Sequence, residues 1–153
     1  MKLPYPYALA LQEQLQFIAI TSNYAIEFIS GFGLRDEQND RWQLAVDTIH
    51  RLLASGLIYE AHNEDELSVI TQREYLAYVN ALAQKDPFAY PLNMEWMEWD
   101  LYATDRCKKL LNKYGISTFY EGGLVEPFIE EVEALFTQHG VPWQDSPIIP
   151  IRG

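Results

Sequence analysis

One cysteine, three histidines and eleven Lys and Arg residues are all that this 153-residue chain holds of three side-chain types on which much protein chemistry depends. A lone Cys107 excludes an internal disulfide framework and suits a reducing compartment. His50, His62 and His139 are too few and too scattered for a zinc site. Long apolar runs are missing as well. In the opening MKLPYPYALALQEQLQFIAI, Gln12, Glu13, Gln14 and Gln16 interrupt the only early stretch, and a membrane span needs roughly 20 nearly unbroken apolar positions. The same opening lacks the pattern of a signal peptide, so a cytoplasmic protein is expected. Gly31-Phe32-Gly33 and Gly122-Gly123 lack the lysine or third glycine of a phosphate-binding loop and read as turns. There is no internal repeat and no low-complexity segment.

Negative charge and aromatic rings are abundant. Twenty-two Asp and Glu leave a net charge of -11, and a surface this negative repels phosphate backbones while attracting basic partners. The imbalance grows along the chain: Arg152 stands alone against six acids in residues 121–153. Hydrophobic residues make up 48% of the chain, which marks a folding sequence of one domain and not a disordered acidic tail. Ten Tyr and four Trp are a heavy aromatic load for that size.

Spacing predicts a mainly α, single-domain bundle of about five helices with at most one small β-hairpin. Pro4 and Pro6 delay the first helix to about Tyr7. It runs toward Ile29 as one helix or as two pieces broken near Thr21-Ser22-Asn23, and Gly31 ends it. Trp42, Ala45, Val46, Ile49, Leu52 and Leu53 share one face of a second helix, with Asp36 as N-cap and Gly56 as its stop. The runs 57–61 and 67–71 suit a hairpin or a loop. Thr71-Gln72-Arg73-Glu74 has the form of a capping box and opens a helix with Tyr75, Leu76, Val79 and Leu82 inward. A further helix is expected from Leu92 to Tyr114. In the last one, Pro127 sits in the first turn and Phe128, Val132, Leu135 and Phe136 face inward. The tail 141–153, VPWQDSPIIPIRG, holds three prolines and is expected to lie extended on the domain through Trp143 and Ile148.

Candidate chemistry is sparse. His62, Glu64 and Glu66 sit on one acidic loop but have no second ligand pair, so a solvated loop is the simpler reading. His50 and His139 lie near helix C-termini, where the dipole favours them. Glu95, Glu98 and Asp100 have the residue types of a glycosidase acid–base pair, without a sign of the enclosing pocket that such chemistry needs. Arg106, Lys108 and Lys109 beside Cys107 favour a thiolate, yet no histidine is near in sequence. A helix followed by a hairpin also suits a winged-helix DNA reader, but Arg41 and Arg51 are offset by Asp40 and Asp47, and the loop HNEDE is acidic. No metal, no cofactor, no nucleic acid and no membrane is expected as a partner.

The most distinctive stretch is NMEWMEWD, residues 93–100. On a helix, Met94, Met97 and Leu101 share one face and Trp96 and Trp99 the other, with Glu95 and Glu98 between. Either the rest of the chain covers the tryptophans, as most aromatic stripes are covered, or they anchor a partner that the acids steer.

DRWQLAVDTIHRLLASGLIYE, residues 40–60, together with this acidic, Trp-rich middle, resembles the small acidic immunity proteins of bacterial contact-dependent and polymorphic toxin systems. The likeness spans about a third of the chain and includes no diagnostic motif. It implies a cytoplasmic, non-catalytic antidote that binds one basic toxin domain, often a nuclease, its carboxylates standing in for substrate phosphates. The expected contacts are Glu60, Glu64, Asp65, Glu66, Glu95, Trp96, Glu98, Trp99 and Asp100. The alternatives are a carboxylate- or metal-dependent hydrolase and an acidic nucleic-acid mimic or adaptor for a basic protein.

Overall fold

Apolar spacing accounts for most of the helices. The structure, a computed structural model, describes residues 1–31, 37–61 and 72–152. Helix α1 (Tyr5–Ile18) starts directly after Pro4 and buries Tyr7, Leu11, Leu15 and Ile18. Of the two alternatives for the stretch that follows, the broken one is found. A two-residue strand, β1 (Asn23–Tyr24), separates α1 from the short α2 (Ile26–Gly31). Helix α3 (Gln38–Ala54) buries Trp42, Ala45, Val46, Ile49 and Leu52, as its spacing predicts. Gly56 follows with φ +74°, the left-handed conformation that lets the chain turn off the helix end. The indole of Trp42 donates to the carbonyl of Leu82 at 2.9 Å, tying α3 to α4 (Gln72–Gln84). On α4 the inward residues are Tyr75, Tyr78, Val79 and Leu82. Leu76, expected inward, lies one step off that stripe and is 42% exposed. Helix α6 (Glu126–Gln138) packs Phe128, Ile129, Val132 and Phe136 into the core.

The expected helix from Leu92 to Tyr114 is overturned. The chain forms a 3-10 turn (Met94–Trp96), then strand β3 (Asp100–Ala103), then helix α5 (Asp105–Lys113). Leu101 and Ala103 point inward while Asp100 and Tyr102 are half-buried, the two-residue alternation of a strand. Pairing on both sides also satisfies its backbone groups. The hydroxyl of Thr104 accepts the N–H of Cys107 at 3.2 Å and so starts α5.

Strand β2 (Ile58–Ala61) lies within the expected run 57–61, but β3 is its partner. The order is β1-β3-β2, all antiparallel. Residues 67–71, the expected second strand, lie outside the described residues, as do Asp36 and the threonine of the capping box. The inner face of the sheet buries Asn23, Ile58, Glu60, Leu101 and Ala103. On the outer face Tyr59 stacks on Tyr102 with centroids 5.4 Å apart, and Tyr24 pairs with Asp100.

The C-terminal segment is held by α3. Gln43 donates to the carbonyl of Ile149 at 2.8 Å and accepts the N–H of Ile151 at 3.0 Å. Asp47 accepts the N–H groups of Ile148 and Ile149 at 3.3 and 3.1 Å. Arg51, fully buried, donates to the carbonyls of Val141 and Pro142 and lies 5.2 Å from the ring centre of Trp143. Trp143 in turn packs on Tyr7 with centroids 4.8 Å apart. Among the described residues no helix is long and apolar enough to cross a membrane.

Candidate partner-binding surface

The segment 85–100 turns the end of α4 into the start of β3. Asp86 organises its first half: the carboxylate accepts the N–H of Phe88 at 2.8 Å, and the carbonyl accepts the amide of Asn93 at 3.0 Å. Trp96 fixes the second half. Its side chain is fully buried, and its indole N–H donates to the carbonyl of Lys85 at 2.5 Å. The turn is closed by the N–H of Met97 donating to the carbonyl of Met94 at 2.8 Å.

With Trp96 inward, the residues around it face out. Tyr90 is 100% exposed, Met94 68% and Met97 40%. Glu98 is exposed, and Glu95, Trp99 and Asp100 are half-buried. Trp99 packs against the edge of the core. From Asp86 to Asp105, both included, there are five acids and no Lys or Arg. The result is an apolar ridge of one tyrosine and two methionines with carboxylates beside it, tied to Lys85 and Asp86 just past α4 and running into β3 at its other end. Methionine adapts its unbranched chain to irregular surfaces, which suits a ridge that packs against another protein. At its far end, Asp100 accepts a hydrogen bond from Ser22 at 3.3 Å and so lies against β1.

Two expected contacts are therefore corrected. Trp96 is a nail under the surface and not an anchor on it, because an indole this size is most stable where its rings are dry and its N–H is paired. Glu60 points to the inner face of β2 and is 1% exposed, so it lies behind the surface. Its charge and that of Glu98 both reach the phenol of Tyr78, whose pKa burial raises first and the two carboxylates raise further. Glu64, Asp65 and Glu66 lie outside the described residues. Glu95, Glu98, Trp99 and Asp100 are on the segment itself. Tyr90, Met94 and Met97 were not expected as contacts. The available signal was Pro91, which biases Tyr90 to extended backbone and away from a helix.

The other candidates are placed as follows. Arg51 is buried and Arg41 donates to the carbonyl of Ile29 at 2.9 Å, so neither faces out from α3 as a DNA-reading helix requires. Cys107 is buried, and burial pushes its thiol up to about 12 against the opposing effect of Lys108, so the basic neighbours do not make it a thiolate. His50 is buried beside Tyr75, with ring centres 5.8 Å apart, and burial lowers its pKa. His139 pairs its Nδ1 with the carbonyl of Leu135 at 2.9 Å. Among the described residues no three His, Cys, Asp or Glu side chains gather to hold a metal ion. No protein-family model, curated protein or solved structure matches the chain.

Proposed function

We propose that this chain is a non-catalytic immunity protein that acts in the bacterial cytoplasm by binding and blocking a basic toxin domain, a nuclease being the favoured target. One observation carries the reading: Tyr90, Met94 and Met97 stand exposed on a buttressed segment whose only charges after Lys85 are carboxylates. Apolar anchors give such an interface its residence time, and the surrounding acids raise the encounter rate with a cationic partner. The net charge of -11 extends that attraction beyond the segment. Burial of Trp96 supports the reading in a second way, since a display segment held from beneath loses little freedom on binding.

The test uses the protein encoded directly upstream of this gene, where the proposal expects a basic toxin domain, and a neighbour without one counts against the reading. Binding is measured with the wild-type chain and with a Tyr90→Ala/Met94→Ala/Met97→Ala triple variant, across a range of salt. The expected result is tight binding that weakens with salt and falls by about 30-fold or more in the triple variant, as loss of interface anchors predicts. Equal binding by the variant removes the segment from the interface. Binding of other basic proteins with equal affinity favours the adaptor reading instead.

A further inference from the structure

A groove of about 680 Å³ runs between α5 and α6, and its charge is opposite to that of the rest of the molecule. Four of the chain's eleven Lys and Arg residues fall within the nine residues of α5. Three of them, Arg106, Lys109 and Lys113, line the groove, spaced three and four residues apart. On a helix that spacing puts them along one side, with rises of roughly 4.5 and 6 Å between successive cations. The floor is apolar: Leu110 from α5 and Ala134 and Leu135 from α6. Leu110 and Leu135 are only partly covered by the core.

The cations are engaged to different degrees. Lys113 pairs with Glu131 of α6 at 2.6 Å. Arg106 uses one guanidinium nitrogen on the carbonyl of Ser55 at 2.9 Å and keeps its other donors. Lys109 is exposed and makes no hydrogen bond or ion pair among the described residues. One rung of the ladder is thus already filled by a glutamate from a helix, and the neighbouring rungs are open.

We infer that this groove docks an amphipathic α-helix of a partner protein, apolar on one face and acidic along its edge. Two helices side by side present a trough into which a third packs at 8–10 Å. Its leucines would rest on Leu110 and Leu135, and its carboxylates would meet Lys109 and Arg106 as Glu131 meets Lys113. A nucleic acid or an anionic membrane fits less well. Both are extended polyanions repelled by the net charge of -11, and neither offers an apolar stripe for the floor. A single helix brings only a few local charges and so avoids most of that repulsion. The groove and the acidic segment lie beyond opposite ends of β3, which at four residues spans roughly 13 Å. The inference goes beyond the immunity reading and is independent of it.

The probe is a synthetic helical peptide with leucines on one face and glutamates along its edge, labelled for fluorescence anisotropy. The full-length chain is titrated into it as wild type, Lys109→Glu and Leu110→Ser, with circular dichroism and thermal melting confirming each fold. The expected result is saturable binding by wild type, weakened about tenfold or more by Lys109→Glu through like-charge repulsion, and weakened also by Leu110→Ser. The Tyr90→Ala/Met94→Ala/Met97→Ala variant is expected to bind the peptide as wild type does, which separates this groove from the proposed toxin surface. Absence of binding, binding unchanged in Lys109→Glu, or equal binding of polyglutamate or of a single-stranded oligonucleotide overturns the inference.

Discussion

Trp96 donates its indole N–H to the carbonyl of Lys85, eleven residues earlier, and with the Asn93–Asp86 bond it closes the segment carrying Tyr90, Met94 and Met97. The burial behind it predicts a large structural effect. Trp96→Ala should destabilise the fold by about 3–5 kcal/mol, the range for emptying an aromatic site in a core. Trp96→Phe keeps most of the apolar volume and loses the hydrogen bond, for about 1 kcal/mol. Urea denaturation monitored by circular dichroism checks both. A Trp96→Ala protein as stable as wild type contradicts the buttress.

Surface residues on the same segment should behave in the opposite manner. Tyr90→Ala and Met94→Ala remove exposed atoms and should change stability by no more than about 0.5 kcal/mol. The same melts measure this, and a larger loss means that the ridge packs against the molecule's own core.

The tail gives a local prediction. Asp47→Ala removes the acceptor for the amides of Ile148 and Ile149. Those two amides should then lose hydrogen-exchange protection, along with Ile151, while the amides of α6 keep theirs. Uniform loss of protection across the chain shows instead that tail and core open together.

His50 predicts the response to acid. Its folded pKa lies below the ordinary value of 6.5, chiefly because burial disfavours the charged ring, while Asp47 pulls the other way. A depressed folded value means that the unfolded chain takes up the proton first. Stability from this group is therefore complete above 6.5 and is lost as pH falls from there through the lower folded value. His50→Gln should show a smaller fall in melting temperature between neutral and mildly acidic pH than wild type. Parallel curves locate the acid sensitivity elsewhere.

Cys107 should be inert. With its thiol buried and its pKa pushed up to about 12, reaction with a thiol reagent at neutral pH should proceed only when the fold opens. The reaction rate should rise with urea in parallel with the unfolded fraction. A fast reaction in the native protein refutes the placement.

The helices with long, regular apolar stripes could be read directly from sequence. Trp42, Val46, Ile49 and Leu52 repeat over 17 residues in α3, so one face is unambiguous. β3 was not legible, because four residues are too short for an alternation to outweigh the three-residue repeat of NMEWMEWD that precedes them. The better clue was Thr104, whose cap marks a helix beginning well after Leu92. The acidity of the 86–105 stretch was visible in sequence, but which of its apolar residues faced out was not. That choice depends on Lys85 offering a carbonyl to Trp96, a partner that only the folded chain brings within reach.

The grip of α3 on the tail has a consequence for which substitutions it accepts. Gln43, Asp47 and Arg51 touch peptide groups of residues 141–151 and read no side-chain identity there beyond the ring of Trp143. The amide hydrogens they require belong to positions 148, 149 and 151. The prolines fall at 142, 147 and 150, where a carbonyl alone is used or no bond to α3 is made. The hydrogen bonds from α3 therefore survive exchange of one apolar residue for another, with only packing against the core at stake, whereas an imino acid at any of those three positions should detach the segment.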